Sequence, residues 1–103
     1  MIKVSVLYPN TEGKRFDQDY YIRKHMPMVQ QTIGAYLKGV SVEAGLGGAE
    51  PGSPPTYLMM GHLVFESLEV FQTAFGLHGQ AIMSDIPNYT DIQPVIQISE
   101  VKL

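Results

Sequence analysis

Most of the side chains able to move a proton lie within three helical turns, Phe16-Asp17-Gln18-Asp19-Tyr20-Tyr21-Ile22-Arg23-Lys24-His25-Met26-Pro27. Residues four apart share a helix face, so Asp17, Tyr21 and His25 stack in one column and Phe16, Tyr20 and Lys24 form its neighbour. One phenol and one imidazole then point the same way. That pairing suits acid–base work, with His25 exchanging a proton and Tyr21 orienting a substrate oxygen, although both residue types also serve as packing groups whose polar tips find a carbonyl. Asp17 reads first as an N-cap, whose carboxylate accepts the free N–H groups of the first turn, and second as an orienter of Tyr21. Pro27 has no N–H to donate and disfavours helical geometry at Met26, so the helix should end, kink or restart near His25. A histidine at a helix C-terminus sits in a negative dipole field, which predicts a proton held more tightly than usual.

Four further residues are candidates for a ligand wall. Tyr20 reads as packing or subunit contact as well as a wall residue. His62 falls mid-strand among apolar neighbours and fits either a hydrogen-bonded core position or a cavity. His78 stands between Gly76 and Gly79, where a site-lining role and plain exposure are both open. Tyr89 belongs to Asp85-Ile86-Pro87-Asn88-Tyr89-Thr90, which most economically builds a turn held by Asp and Asn side chains, with ligand gating by Tyr89 as the second reading. The three histidines match no metal-binding spacing, so no metal site is expected. Nucleophile elbows, paired carboxylates, dinucleotide fingerprints and flavin motifs are missing, and no bound cofactor is expected. Catalysis, if present, would use a pocket, a proton carrier and the reactivity of oxygen or of the substrate itself.

The elements that must position these groups follow from periodicity. Ile2, Val4, Val6 and Tyr8 alternate with Lys3, Ser5 and Leu7, a strand stopped by Pro9-Asn10. A first helix is expected from Asp17 to about Tyr36, interrupted at Pro27, and a second strand over 37–46. Gly45 to Pro55 has no periodicity and many breakers, and reads as a mobile hairpin loop; without a glycine fingerprint or a following helix it is a poor phosphate cradle. In the strand over 57–66, Tyr57, Met59, Gly61, Leu63 and Phe65 occupy one face and Leu58, Met60, His62 and Val64 the other. Both faces are largely apolar, so both must be covered. With two helices on one side, the economical cover for the other is the sheet of a second protomer, which predicts a homodimer. Ser67 caps a second helix that should break around Gly76 to Gly79 and resume through Ile82, Met83 and Ile86. A last strand starts at Ile92 or Val95 and runs to Val101. The order strand, helix, strand, strand, helix, strand is that of a ferredoxin-like βαββαβ fold, a four-stranded antiparallel sheet with two helices on one face.

Length and charge bound the rest. The 103 residues support one domain, residues 1–103. Apolar residues make up 45% and charged ones 17%, a globular composition with a lightly charged surface; the net charge of -3 argues against nucleic acid and against a polybasic membrane contact. There is no cysteine, so disulfides and thiolate chemistry are excluded. No apolar run is long enough to span a bilayer, and the expected location is cytoplasmic.

The pattern Asp17-x-x-Tyr20-Tyr21-x-x-x-His25-x-Pro27, beginning about eight residues after the first strand, resembles the EthD family of small dimeric α+β barrel proteins. His62-Leu63-Val64-Phe65-Glu66-Ser67-Leu68-Glu69 is similar to that family's third strand entering its second helix. Asp85 to Asp91, followed by Pro94 and Gln97-Ile98-Ser99-Glu100, is similar to its final turn and strand. The resemblance spans the chain and implies a homodimeric α+β barrel. It also implies a small apolar or aromatic organic ligand held between the first helix and the sheet. The activity implied is a cofactor-independent catabolic step, a proton transfer or an oxidation, with His25 as acid/base. Relatives in the superfamily act as monooxygenases, isomerases and cyclases, and family members are often labelled reductases, though nothing here would bind a nicotinamide. The rival reading is a non-catalytic accessory protein that delivers a hydrophobic compound to a separate oxidase.

Overall fold

Period-two alternation at the start of the chain builds β1 (Ile2–Pro9), one of two inner strands in a computed structural model that describes residues 1–103. β1 pairs antiparallel with β3 (Tyr57–Phe65) on one side and with β4 (Val95–Glu100) on the other. β2 (Leu37–Ala44) pairs with β3 and completes the order β2-β3-β1-β4. With two helices packed on one face this is an α+β, ferredoxin-like fold. The register sets Val4 opposite Leu63, Val6 opposite Gly61 and Tyr8 opposite Met59, so one face of the inner strands is apolar and points toward the helices.

Asp17 starts the first helix as its type predicts: its backbone is extended and its Oδ1 accepts the Tyr20 N–H at 3.0 Å. The helix has three consecutive segments, an α-helical Gln18–Tyr20, a π-helical turn Tyr21–His25 and an α-helical Met26–Ile33. The wide turn sits where Pro27 requires it. Proline offers no N–H to the carbonyl four residues back, and the chain passes that position by widening, with the Met26 N–H reaching the Tyr21 carbonyl. The helix therefore neither ends nor breaks at His25. A turn of 3₁₀ helix, Gly34–Tyr36, leads into β2.

The second helix, Leu68–Ser84, is capped by Ser67, whose Oγ accepts the Val70 N–H at 3.2 Å. It runs without interruption through Gly76, Leu77, His78 and Gly79, which overturns the expected break there. Each glycine weakens a helix by about 1 kcal/mol relative to alanine. Burial of Ala74, Gly79 and Ile82, with Phe71 and Phe75 packed beside them, outweighs that cost. A 3₁₀ turn, Ile86–Asn88, follows. The glycine-rich stretch between β2 and β3 forms a hydrogen-bonded turn of its own, with Ser53 N–H on the Glu50 carbonyl and Gly48 N–H on the Ser53 carbonyl, both at 3.1 Å.

The core lies between helices and sheet, with Val4, Tyr8, Val29, Ile33, Met59 and Phe65 almost wholly enclosed. On the sheet's other face, Leu58, Met60 and Val64 of β3 are only half-buried.

The unbroken second helix has a direct test. A Cβ added at Gly76 meets nothing within 4 Å, so Gly76→Ala should raise stability by about 0.5–1 kcal/mol in urea unfolding. A loss of stability would restore the break.

Candidate functional site

The cavity of this fold opens between both helices and the sheet. It measures about 210 Å³ and is bounded by β1, β3 and Ile96 of β4 below, the first helix on one side and the second helix on the other. Thirteen of its fifteen lining residues are hydrophobic, so the few polar atoms on its wall are conspicuous. They belong to His25, Tyr21 and Tyr8.

The π turn brings Tyr21 and His25 to that wall as near-parallel rings, 5.7 Å apart with planes 16° from each other. Both are buried, at 2% and 4% exposure. The Tyr21 hydroxyl rests over β3 at Gly61, where an added Cβ would come within 2.5 Å of its oxygen; a glycine is what lets the phenol lie there. Tyr8 turns its hydroxyl to that of Tyr89 at 2.5 Å, so it is already engaged. The Tyr21 hydroxyl and the Nε2 of His25 have no protein partner.

The opposite nitrogen of His25 is tied down. Nδ1 lies 2.9 Å from Oδ2 of Asp85. Oδ1 of the same carboxylate accepts the Tyr20 hydroxyl at 2.8 Å and the Asn88 side-chain amide at 2.9 Å. A carboxylate accepts and does not donate, so His25 carries its proton on Nδ1 and presents the Nε2 lone pair to the cavity. Burial pushes the His25 pKa below its ordinary value, against the opposing pull of Asp85. This corrects the expectation of a tightly held proton: the helix continues past His25, so there is no C-terminal dipole end for it to sit in. In Asp85 burial raises the pKa, but hydrogen bonds from Asn88, His25 and Tyr20 together outweigh it and hold the carboxyl below its usual range. Burial raises the pKa of Tyr21, which keeps its proton and serves as a donor.

Among the residues expected at the site, His25 and Tyr21 line the cavity. Tyr20, Tyr89, His62 and His78 do not. Tyr20 acts behind the wall on Asp85, and its ring stacks on that of Tyr89 at 6.1 Å while Lys24 Nζ lies 5.5 Å from its centroid. Tyr89 is fully buried, its ring 4.7 Å from His25 and 5.1 Å from Tyr21, so it holds both rings in place from outside the cavity. His62 is on the opposite face of the sheet, with Nδ1 2.8 Å from the Ser5 hydroxyl and Nε2 3.1 Å from Glu43. His78 is half-buried within the unbroken second helix. The residue that sequence reasoning missed is Asp85. It does build the turn read from its sequence, accepting from Asn88, but its link to His25 crosses 60 positions, and no periodicity reports a contact of that span.

The fold is ferredoxin-like, with a partly open apolar cavity whose wall carries a histidine tied to a carboxylate. The EthD domain model matches residues 11–93, and the chain belongs to the EthD family. The crystal structure of an EthD-like protein from Ralstonia eutropha JMP134 is similar at 49% identity with a TM-score of 0.93, the match covering 99% of this chain and 92% of that one. An ethyl tert-butyl ether D (EthD) family protein from Bacillus halodurans C-125 is similar at 20% identity and a TM-score of 0.77, over 99% of both chains. A protein of Arabidopsis thaliana, solved in solution, shares the fold at 10% identity and a TM-score of 0.61, over 99% of this chain and 89% of that one. No curated protein matches the chain.

Two outcomes test this geometry. Gly61→Ala should push the Tyr21 phenol off β3, and because aromatic rings hem it in, the strain should lower stability by about 1–3 kcal/mol and shift the Tyr21 ring signals. The second is a pH dependence. The unfolded chain protonates histidine near pH 6.5, and the folded chain resists it, so below about pH 6.5 the unfolded state binds more protons and stability falls as acid is added. Asp85 acts with the same sign at lower pH, since its folded carboxyl also resists protonation. Denaturant unfolding between pH 7 and pH 5 should show this slope, and His25→Gln should flatten it; an unchanged slope would detach it from His25.

Proposed function

We propose that this protein binds a small apolar or aromatic organic molecule in the cavity beneath the first helix and moves a proton on it. His25 Nε2 is the acid/base and the Tyr21 hydroxyl orients the reacting oxygen. The observation that carries this reading is that these are the two unpartnered polar groups on an otherwise apolar wall. A ligand that fills the cavity meets both. An apolar cavity of about 150 Å³ already accommodates benzene, so a space of about 210 Å³ suits a substituted ring.

The chemistry follows from the protonation states. Neutral His25 accepts a proton at Nε2 and becomes an imidazolium, which Asp85 stabilises through Nδ1. Tyr21 donates a hydrogen bond to the oxygen on which negative charge develops, in a site where the low dielectric strengthens that bond. The proton then returns to another atom of the ligand, so the net step is a tautomerisation or isomerisation that consumes nothing else. We further propose that the protein acts as a homodimer joined through the open sheet face. Half-buried Leu58, Met60 and Val64 on β3 support this, as does Val95 on β4, which pairs with Leu7 on the same face and is 48% exposed.

The test uses neutral aromatic enols such as benzoylacetone, whose ketonisation is followed by absorbance. Wild-type protein should accelerate the reaction, and His25→Ala should lose about 100-fold or more of that rate while probe affinity stays within a few fold. Binding without any acceleration would make the protein a carrier. No binding by any neutral aromatic probe would remove the site. Native mass spectrometry should show the dimer.

A further inference from the structure

Resting on the reading of the cavity as a ligand site, we infer that its ligands are uncharged compounds bearing a hydroxyl on an aromatic or conjugated ring, phenols and stable enols, and that this hydroxyl is the group His25 deprotonates. The argument is a count of donors and acceptors. The wall offers one acceptor, Nε2 of His25, whose proton is held on the opposite nitrogen by Asp85 at 2.9 Å. It offers one donor, the Tyr21 hydroxyl over Gly61. Every other lining side chain is apolar except Tyr8, whose hydroxyl is engaged with Tyr89.

A ligand that leaves either group unpaired in a buried apolar site forfeits a hydrogen bond and still pays for desolvating that group. An ether or a ketone can accept from Tyr21 but has nothing to give Nε2. A hydroxyl meets both with a single oxygen, donating to Nε2 and accepting from Tyr21. Both residues line the one cavity with their rings 5.7 Å apart, which brings them close enough for a single ligand to meet both.

Charge narrows the class further. The cavity wall carries no lysine or arginine, and the nearest formal charge behind it is the carboxylate of Asp85. A carboxylate or phosphate ligand would enter an apolar site with no lysine or arginine to pair it and with a like charge on the far side of His25, which disfavours anions. Aliphatic alcohols satisfy the count but are too weakly acidic for an imidazole to deprotonate. The walls also favour a flat ring: Phe71 and Phe75 close the cavity from the second helix, and Tyr8 and Tyr21 bound it opposite.

In the proposed step the O–H bond of the ligand breaks and an N–H bond forms at Nε2. The electron pair stays on the ligand oxygen, where Tyr21 donates to it, and the imidazolium is paired with Asp85. No oxidant or co-reactant enters.

Three ring-matched probes decide the matter: 4-chlorophenol, 4-chloroanisole and 4-chlorobenzoate, each titrated into wild-type protein and followed by calorimetry and by ultraviolet difference spectra. The phenol should bind at least about ten-fold more tightly than the anisole, and the benzoate should not bind measurably. In His25→Phe the advantage of phenol over anisole should shrink toward unity. Equal affinity of phenol and anisole in wild-type protein would overturn this inference and leave the cavity reading intact. Tightest binding of the benzoate would overturn the choice of class. Failure of both neutral probes to bind would overturn the cavity reading and this inference with it. All three outcomes are read from wild-type protein and do not depend on the variant folding.

Discussion

A buried imidazole in an apolar wall has to have its proton spoken for, and in this protein Asp85 meets that requirement. One hydrogen bond, Nδ1 of His25 to Oδ2 of Asp85, joins the first helix to the segment after the second. Bonds to charged acceptors are worth about 1.5–3 kcal/mol where a neutral pair gives about 1. The contact is also reinforced along its length. Asp17 N–H donates to the Tyr89 carbonyl at 2.7 Å, Arg15 N–H to Asp91 at 2.7 Å, Arg15 Nη2 to the Pro87 carbonyl at 2.9 Å and Thr90 Oγ1 to the Arg15 carbonyl at 2.6 Å. Residues 15–25 and 85–91 thus form one seam, and His25 cannot turn without disturbing it. That rigidity is what a proton-transfer site needs, since a general base works only at hydrogen-bond distance from its target.

The same seam explains why so many aromatic side chains gather at and behind the wall. Tyr8, Phe16, Tyr20, Tyr21 and Tyr89 make edge-to-face and stacked contacts within 5.0–6.1 Å of one another. Large flat side chains with polar tips are the economical filling for a region that must exclude water yet satisfy hydroxyls, and Tyr8 with Tyr89 does both in a single pair. Burial raises the proton affinity of Tyr8, Tyr21 and Tyr89, so these phenols keep their protons and act as donors and as packing.

The two faces of the sheet divide the work. Toward the helices lie the core and the cavity, and Gly61 leaves room for the phenol that completes the site. Away from them, β3 offers apolar side chains interleaved with a polar row, Ser5, His62 and Glu43, hydrogen-bonded to one another across three strands. His62 satisfies its polar atoms in that row, which accounts for a histidine at mid-strand without assigning it to the ligand.

How much of this was legible beforehand depends on the range over which each interaction acts. Period-two alternation marked all four strands, because each side chain's face follows from its own position in the pleat; Asp17 and Ser67 marked the helix starts, because a cap bonds only to the next turn. Pro27 announced a disturbance but not its form, since a kink, a stop and a π turn all accommodate a missing N–H, and packing chose the last. The glycines at 76 and 79 misled for a related reason: their local cost is smaller than the burial they permit against the sheet. Tyr21 and His25 could be named as candidates from their shared helix face together with the family resemblance, yet their protonation states could not, because those follow from burial and from a carboxylate 60 residues away. The amino-acid order by itself determined the strands, the helix starts, the face each strand presents and the candidate pair Tyr21 and His25. Only the folded chain decided which nitrogen of His25 is free, because that choice belongs to Asp85, and the two meet only once the sheet has brought their segments together.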